Sequence, residues 1–277
     1  MKTAFVFSGE GARGAYQAGI LRALAKQGIE ADAVYGTSSG ALNATGYSYL
    51  GTERLAEVWL GIHDVSQIFK GNGIAALWRT GAYNAMPLHK MVSNIVGKND
   101  PWCPVTVTRV NLLNGGLDYA VDGEMAPDEF VDAVVASASL PGLVEPHEAQ
   151  WVDGGIRVIT PLRKAIRDGA DRLCVILGSP PTIQPWEELP PLVNLGPFKP
   201  FRAAMAAFRS LEIALHQIMM SDIRLARKRN HVKGYRNLDI QVFGPPHQLY
   251  GMLDFARAPS TVLLGERNYV EYDEESL

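Results

Sequence analysis

The chain has little of what marks a disulfide-stapled or a nucleic-acid-binding protein. Its two cysteines, Cys103 and Cys174, are too few for a disulfide framework and stand at no metal-ligand spacing. We therefore expect two buried thiols and no metal site. The net charge of −3 and the pI near 6.1 lack the basic excess that is typical of nucleic-acid binding. Nucleic acid is accordingly not an expected partner.

Long apolar runs are also missing. The apolar run from Ala4 to Phe7 is shorter than that of a signal peptide, and none approaches the ~18 residues of a membrane span. A content of 47% hydrophobic and 20% charged residues is ordinary for a globular protein. Without repeats or a clear boundary, residues 1–277 are predicted to form one soluble, cytoplasmic domain with no transmembrane segment and no cofactor.

A short apolar strand, Val34 to Gly36, runs directly into Gly36-Thr37-Ser38-Ser39-Gly40 and then into a stretch compatible with a helix. This is the nucleophile-elbow pattern, in which a sharp strand-to-helix turn presents a serine hydroxyl clear of its backbone. Ser38 is the predicted nucleophile, and Gly36 and Gly40 give it room. Alone, the pentapeptide also fits a plain glycine-rich turn.

A second glycine-rich loop, residues 9–14, follows a predicted first strand, Thr3 to Phe7, and precedes a predicted helix. Such a loop can bind a dinucleotide pyrophosphate, form an oxyanion hole, or simply make a tight turn. A dinucleotide site needs an acidic residue at the end of the second strand. Asp32 lies before that strand, which ends in Gly36 instead, so the sequence favours the oxyanion hole.

An acidic residue ends another short strand, Gln150 to Asp153, and two glycines follow it. A glycine turn can present the Asp153 carboxylate, although Asp-Gly-Gly by itself is more often only a turn.

These segments together resemble the patatin-like phospholipase family over roughly residues 3–165. The resemblance rests on Gly9-Glu10-Gly11-Ala12-Arg13-Gly14, Gly36-Thr37-Ser38-Ser39-Gly40, the Ala-Ser-x-x-x-Pro segment from Ala136 to Pro141, and Asp153-Gly154-Gly155. It implies an α/β fold of three layers, α/β/α, around a largely parallel sheet. It also implies an acyl hydrolase that cleaves phospholipids, lysophospholipids or simpler esters, with peripheral contact to a membrane surface.

The resemblance further implies a Ser–Asp dyad, with Ser38 as nucleophile and Asp153 as its base. Backbone N–H groups of the loop would form the oxyanion hole, and these residues are Gly9, Glu10, Gly11, Ala12, Arg13 and Gly14. Because a carboxylate with a reference pKa of ~3.9 is a weak base, we expect the site to desolvate Asp153.

Glu10 departs from the pattern, since the family usually has glycine there. A carboxylate facing the developing oxyanion would oppose catalysis. We expect the side chain to point outward, towards Arg13, and Glu10→Gly to change activity by no more than a few fold.

Two other functions stay open. One is a Ser–His–Asp esterase on an α/β-hydrolase fold, for which the histidines beyond Asp153 are His216, His231 and His247. That fold places an oxyanion donor after its third strand, whereas this elbow follows the second; His147 precedes Asp153 and is assigned to a loop. The other is a catalytically silent lipid-binding protein, against which the presence of both Ser38 and Asp153 argues.

The C-terminal part gives less specific signals. The proline-rich stretch 179–200 suggests a lid or wall for an acyl chain. A long helix from Phe201 to about Arg229 carries an apolar stripe that favours core packing, and its basic end favours either solvent or anionic lipid head groups. The acidic tail, residues 271–275, is expected to be solvated.

Overall fold

A computed structural model describes residues 1–183, 200–233 and 237–277 of the chain. The strands are β1 (Thr3–Phe7), β2 (Ala33–Gly36), β3 (Lys70–Gly71), β4 (Gly81–Asn84), β5 (Val105–Asn111), β6 (Leu117–Val121), β7 (Gly142–Val144), β8 (Trp151–Asp153), β9 (Arg172–Ile176), β10 (Asp239–Gly244) and β11 (Val270–Tyr272). The helices are α1 (Gly14–Lys26), α2 (Ser39–Leu60), α3 (Met86–Val96), α4 (Pro127–Ser137), α5 (Leu162–Arg167), α6 (Pro200–Lys228) and α7 (Ala258–Asn268). Most of the predicted lid or wall, residues 184–199, lies outside the described residues.

The central sheet has the strand order β11-β10-β9-β1-β2-β5-β6, and β8 also pairs with β5. The pairs from β10 across to β5 are parallel. The pairs that β11, β6 and β8 make are antiparallel. The predicted largely parallel sheet is therefore confirmed. Gly115 and Gly116, which lie between two apolar runs, also predict a hairpin, and β5 and β6 form it.

Helices cover both faces of this sheet. Along β1, successive side chains point alternately into the cores on the two faces. Phe5 and Phe7 point into a core shared with α1, α2, α4 and α7, while Ala4 and Val6 point into a core shared with α5 and α6. Every residue of β1 is buried, which explains why its sequence is a continuous apolar run rather than an alternating one. This arrangement gives the predicted three layers.

The register of β5 brings two distant parts of the chain together. One edge of β5 pairs with β6 over most of its length. The other edge pairs with β2 over Val105 to Val107 and with β8 over Arg109 to Asn111. Strand β8 therefore approaches the carboxyl end of β2 head-on, and the residues that end these two strands meet.

Short strands lie in two further regions. Gly71, Gly73 and Gly81 predict a loop between residues 70 and 84, but β3 and β4 lie there and join β7 in a small separate sheet. Val270–Tyr272 forms β11 against β10, while the acidic side chains of the tail, Glu271, Asp273, Glu274 and Glu275, are exposed as expected. The arginines Arg224 and Arg227 of α6 donate to main-chain oxygens of Tyr272, Asp273 and Leu277. Two of the basic residues near the end of α6 are therefore bound by main-chain oxygens of the C-terminal residues.

The apolar stripe of α6 packs in the core, as predicted, through Leu215, Met219 and Ile223. Cys103 and Cys174 are both buried and free, also as predicted. None of the helices in the described ranges combines the length and the hydrophobicity that crossing a bilayer requires.

Candidate active site

Ser38 stands at a strained turn between β2 and α2. Its φ of 57° and ψ of −129° form a backbone conformation that is unusual for a residue with a side chain. The N–H of Ser38 donates to Ser137 Oγ at 3.0 Å. The Thr37 hydroxyl donates to the carbonyl of Val158 at 3.1 Å and contacts the Thr108 hydroxyl at 2.6 Å. These contacts hold the elbow from both sides.

Both motif glycines are required by close backbone packing at the elbow. A Cβ atom on Gly36 would lie 2.1 Å from the carbonyl oxygen of Gly40, and one on Gly40 would lie 2.4 Å from that of Phe7. The elbow thus folds tightly on itself and against the end of β1, which leaves the side chain of Ser38 on the open side.

Asp153 ends β8 next to this turn and is 1% exposed. Its Oδ1 accepts a hydrogen bond from the N–H of Gly155 at 2.7 Å, and the hydroxyl of Ser38 lies close enough to stabilise the ionised carboxylate. Burial raises the pKa of Asp153 from its ordinary 3.8 to about 7, although the Ser38 hydroxyl and the N–H of Gly155 oppose the rise. The expected desolvation of Asp153 is confirmed, and it makes the carboxylate a stronger base.

The end of α4 and the residues that follow it contact both Ser38 and Asp153. Ser137 supplies the hydroxyl that accepts from the N–H of Ser38, and the carbonyl of Ser139 accepts from the N–H of Asp153 at 3.0 Å. The Ala-Ser-x-x-x-Pro segment was recognised in the sequence, but no role was predicted for it. The two serines within an otherwise apolar helix end could have indicated that their polar groups bind a neighbouring segment.

Most N–H groups of the glycine loop already have acceptors. Acceptors within the protein bind the N–H groups of Gly9, Glu10, Ala12, Arg13 and Gly14. Within the described part of the chain, the N–H of Gly11 has none. Gly11 and Ser39, whose N–H begins α2, line the same cavity as Ser38. These two N–H groups are therefore the candidates for an oxyanion hole.

The Glu10 side chain does not point outward, and that expectation is wrong. Glu10 is 5% exposed, and its Oε1 accepts hydrogen bonds from the Ser8 hydroxyl and from the N–H of Gly178 at 2.7 Å. The carboxylate thus ties the loop to the carboxyl ends of β1 and β9, because Ser8 follows β1 and Gly178 follows β9. Glu10 therefore anchors the loop. The expectation that Glu10→Gly changes activity by no more than a few fold did not take this anchoring into account.

Arg13 is held by α6 rather than by Glu10. Its guanidinium donates to Glu212 at 2.7 Å, to Ser179 Oγ at 3.0 Å and to the carbonyl of Tyr250 at 2.7 Å. Burial raises the pKa of Glu212, but Arg13 and then Arg209 outweigh it and keep the pKa below its ordinary value. This buried ion pair joins the loop to α6.

An apolar cavity, called here the acyl cavity, opens beside Ser38 and Asp153 and contains about 1010 Å³ of empty space, counting solvent at its mouth. Its apolar lining includes Leu42, Leu55, Val58, Trp59, Phe69, Leu88, Met91, Ile95 and Phe255. As apolar residues, Ile74 and Trp78 are expected to join the core or to line such a pocket, but they are 79% and 80% exposed.

No histidine of the described ranges lines the acyl cavity. His147 bonds to Asp132 at 2.9 Å, in agreement with its assignment to a loop. His216 contacts the carbonyl of Pro180 at 3.0 Å. The geometry therefore gives Ser38 a carboxylate partner and does not place a histidine between Ser38 and Asp153.

The fold and site define an α/β protein in which a nucleophile elbow faces a buried aspartate beside a glycine loop. Residues 5–166, more than half of the chain, match the model of the family described as Patatin-like phospholipase. The chain belongs to the patatin-like phospholipase family.

Two relatives carry the name "Patatin-like phospholipase domain-containing protein 7", one from Rattus norvegicus and one from Mus musculus. Each is 30% identical over 161 residues, which cover 55% of this chain and 12% of the relative. The chain thus spans only a small part of these relatives. The crystal structure of VipD from Legionella pneumophila aligns with 98% of this chain and 68% of its own, at 12% identity and a TM-score of 0.46.

Proposed function

We propose that the protein is a lipid acyl hydrolase that cleaves carboxylic esters through Ser38 and Asp153. The observation that carries the proposal is the placement of Ser38, on a strained elbow, beside the buried carboxylate of Asp153 at the wall of one cavity. The pair lies at one end of an apolar cavity, so an acyl chain in that cavity would present its ester to the serine. Membership of the patatin-like phospholipase family supports the same reaction.

In the proposed reaction, Asp153 accepts the proton of Ser38 as the hydroxyl oxygen attacks the ester carbonyl carbon. The carbonyl oxygen becomes negative and faces the N–H groups of Gly11 and Ser39, which stabilise it. The intermediate collapses to an acyl-enzyme, and the alcohol leaves with the proton from Asp153. A water molecule, deprotonated by Asp153, then attacks the acyl carbon. The bond from that carbon to the Ser38 oxygen breaks, Asp153 returns the proton to this oxygen, and the carboxylic acid leaves.

The acyl cavity supports fatty esters as substrates. Its lining is almost entirely apolar, so burying an acyl chain there would stabilise the complex by about 0.8 kcal/mol per CH₂. Phospholipids, lysophospholipids and simpler acyl esters all provide such a chain. We expect kcat/KM to rise with acyl length until the cavity is filled.

The surface beside the cavity supports contact with lipid. Ile74 and Trp78 protrude from the segment between Phe69 and Leu88, both of which line the acyl cavity. Exposed tryptophan is favoured at the interface between membrane and water. Contact at this segment would bring the cavity to a substrate that resides in a bilayer.

Hydrolysis of p-nitrophenyl esters from C2 to C16 tests the proposal. Ser38→Ala and Asp153→Ala should each lower kcat at least a thousandfold, while His147→Ala should stay within about threefold of the unmodified protein. Since Asp153 must be ionised to act as a base, kcat/KM should fall about tenfold per pH unit below pH 7. Hydrolysis that survives Ser38→Ala would refute the proposed function.

A further inference from the structure

A second cavity lies on the other side of the glycine loop. This polar chamber is lined by Glu10, Arg13, Ser179, Glu212, His216 and Gln248, together with apolar residues. It shares four residues with the acyl cavity, namely Gly9, Ile159, Leu215 and Met252. Gly9 is in contact with the nucleophile, since a Cβ atom on it would lie 2.6 Å from Ser38 Cβ. An apolar and a polar cavity therefore meet beside Ser38.

The charged side chains of the polar chamber all form hydrogen bonds within the protein, but one carboxylate oxygen of Glu10 does not. The guanidinium of Arg13 is bound to Glu212, Ser179 and Tyr250, and the second oxygen of Glu212 accepts from Arg209 at 2.7 Å. Glu10 uses only Oε1, for Ser8 and Gly178. Its Oε2 is buried without a hydrogen-bond partner in the described part of the chain.

An unpaired buried carboxylate oxygen needs a hydrogen-bond donor, because leaving it unsatisfied costs free energy. The cations of the chamber are already engaged by Glu212, so the unsatisfied group is an acceptor and does not call for an anion. A hydroxyl group is a donor that a small polar space of this kind accommodates. The chamber thus fits a hydroxylated group better than a phosphate.

We infer that the polar chamber receives the alcohol half of the ester, and that Glu10 Oε2 accepts a hydrogen bond from a hydroxyl next to the ester oxygen. This inference rests on the proposed function, with the acyl chain in the acyl cavity. The chemistry is that of glycerol carrying a free hydroxyl, which both monoacylglycerols and lysophospholipids provide. Glu10 is then a residue that determines specificity for the leaving alcohol.

Two matched pairs of substrates test the inference. The first is 1-palmitoyl lysophosphatidylcholine against its 2-deoxy analogue; choline has no N–H, so the glycerol hydroxyl is the only donor in that alcohol. The second is 1-palmitoylglycerol against propyl palmitate. We expect the unmodified protein to favour the hydroxylated member at least tenfold in kcat/KM. Preference in one pair only would identify phosphorylated or neutral glycerol as the source.

Glu10→Gln is the informative variant. Its amide oxygen can keep the contacts to Ser8 and Gly178, while an NH₂ group replaces the free acceptor. The preference for hydroxylated esters should fall at least fivefold. The ratio cancels losses common to both esters, such as a displaced oxyanion loop. Thr160→Val is the matched control, because Thr160 Oγ1 is also buried without a partner in the described ranges but Thr160 lines neither cavity.

Thr160→Val should leave the ratio within twofold of the unmodified protein. A ratio near one in the unmodified protein, in both pairs, overturns the inference without the use of any variant. So does an unchanged ratio in Glu10→Gln. If the esters are hydrolysed in a Ser38-dependent way, either result leaves the proposed function standing. Absence of Ser38-dependent hydrolysis of every ester would overturn both.

Discussion

At the scale of single residues, the proposed site depends on one carboxylate, Asp153, whose burial disfavours its charged form. Asp153 is 1% exposed, and within the described part of the chain its ionised form is favoured by the N–H of Gly155 and the Ser38 hydroxyl but by no cation. The loss of water therefore dominates, and the pKa of Asp153 rises to about 7. Ionised Asp153 is thereby a better base and also a source of instability.

Replacing this carboxylate should stabilise the fold at neutral pH. The pKa of Asp153 is about 7 in the folded protein and 3.8 as a reference for the unfolded chain. Between these values the unfolded state binds fewer protons, so stability falls as pH rises from about 4 to 7 and is then constant. Asp153→Asn removes this dependence, and its advantage should grow to at most about 4 kcal/mol above pH 7.

Thermal unfolding of both proteins from pH 4 to pH 8 measures this difference. We expect similar Tm values at pH 4 and a clearly higher Tm for Asp153→Asn at pH 8. Equal Tm values across the range would show that the carboxylate is not held in a desolvated state.

The residues proposed to carry the chemistry could be singled out from the sequence because their motifs are local. Ser38 lies between two glycines after a strand, and Asp153 precedes two more. The direction of Glu10 could not be found in this way. Its partner Gly178 is 168 residues away, and only the pairing of β1 with β9 brings the two together.

At the scale of elements, the end of α4 supports both members of the proposed dyad. Ser137 and Ser139 are both fully buried, but their hydroxyls have different partners. That of Ser137 accepts from the N–H of Ser38, whereas that of Ser139 donates to Val135 within its own helix segment. The two serines therefore form a natural pair of test and control.

Ser137→Ala should impair the site more than Ser139→Ala. The first change leaves the N–H of Ser38 without its acceptor, which costs about 1–3 kcal/mol in a buried place, and frees the strained elbow. We expect kcat on a C8 ester to fall about tenfold for Ser137→Ala and less than threefold for Ser139→Ala. Equal losses in the two variants would show that the elbow does not depend on this bond.

Strands with an apolar run of four residues, such as β1 and β9, were predictable, because burial on both faces dictates their composition. Short strands were not. β3 has only two residues, and β11 has three with an exposed Glu271 in the middle. Such segments become strands by pairing with a neighbouring strand, and they are too short to show the alternation of apolar and polar residues that predicts a strand.

At the scale of the whole molecule, polar and apolar surfaces divide around the site. The acyl cavity and the polar chamber meet at the glycine loop, and Ile74 and Trp78 protrude from the segment beside the acyl cavity. On α6, by contrast, Arg224 and Arg227 bind the last residues of this chain. The exposed apolar segment is therefore a better candidate for contact with lipid than the basic end of α6.

Binding to vesicles tests this assignment. Ile74→Ala combined with Trp78→Ala should reduce sedimentation with phosphatidylcholine vesicles at least fivefold, because both side chains lose apolar area that would enter the interface. Leu225→Ala is the control, since Leu225 is a 67% exposed apolar residue on α6. Hydrolysis of a soluble C4 ester should be retained in the double variant. Equal sedimentation of the two variants would place the contact elsewhere.

The central claim is that Ser38 is a nucleophile activated by Asp153 without a histidine. Reaction with a fluorophosphonate, followed by mass spectrometry, measures this most directly, because the reagent bonds covalently to an activated serine. We predict one adduct per chain on Ser38, no adduct in Ser38→Ala, and labelling at least a hundredfold slower in Asp153→Asn. Labelling of another serine, or a rate that Asp153→Asn does not change, would contradict the account.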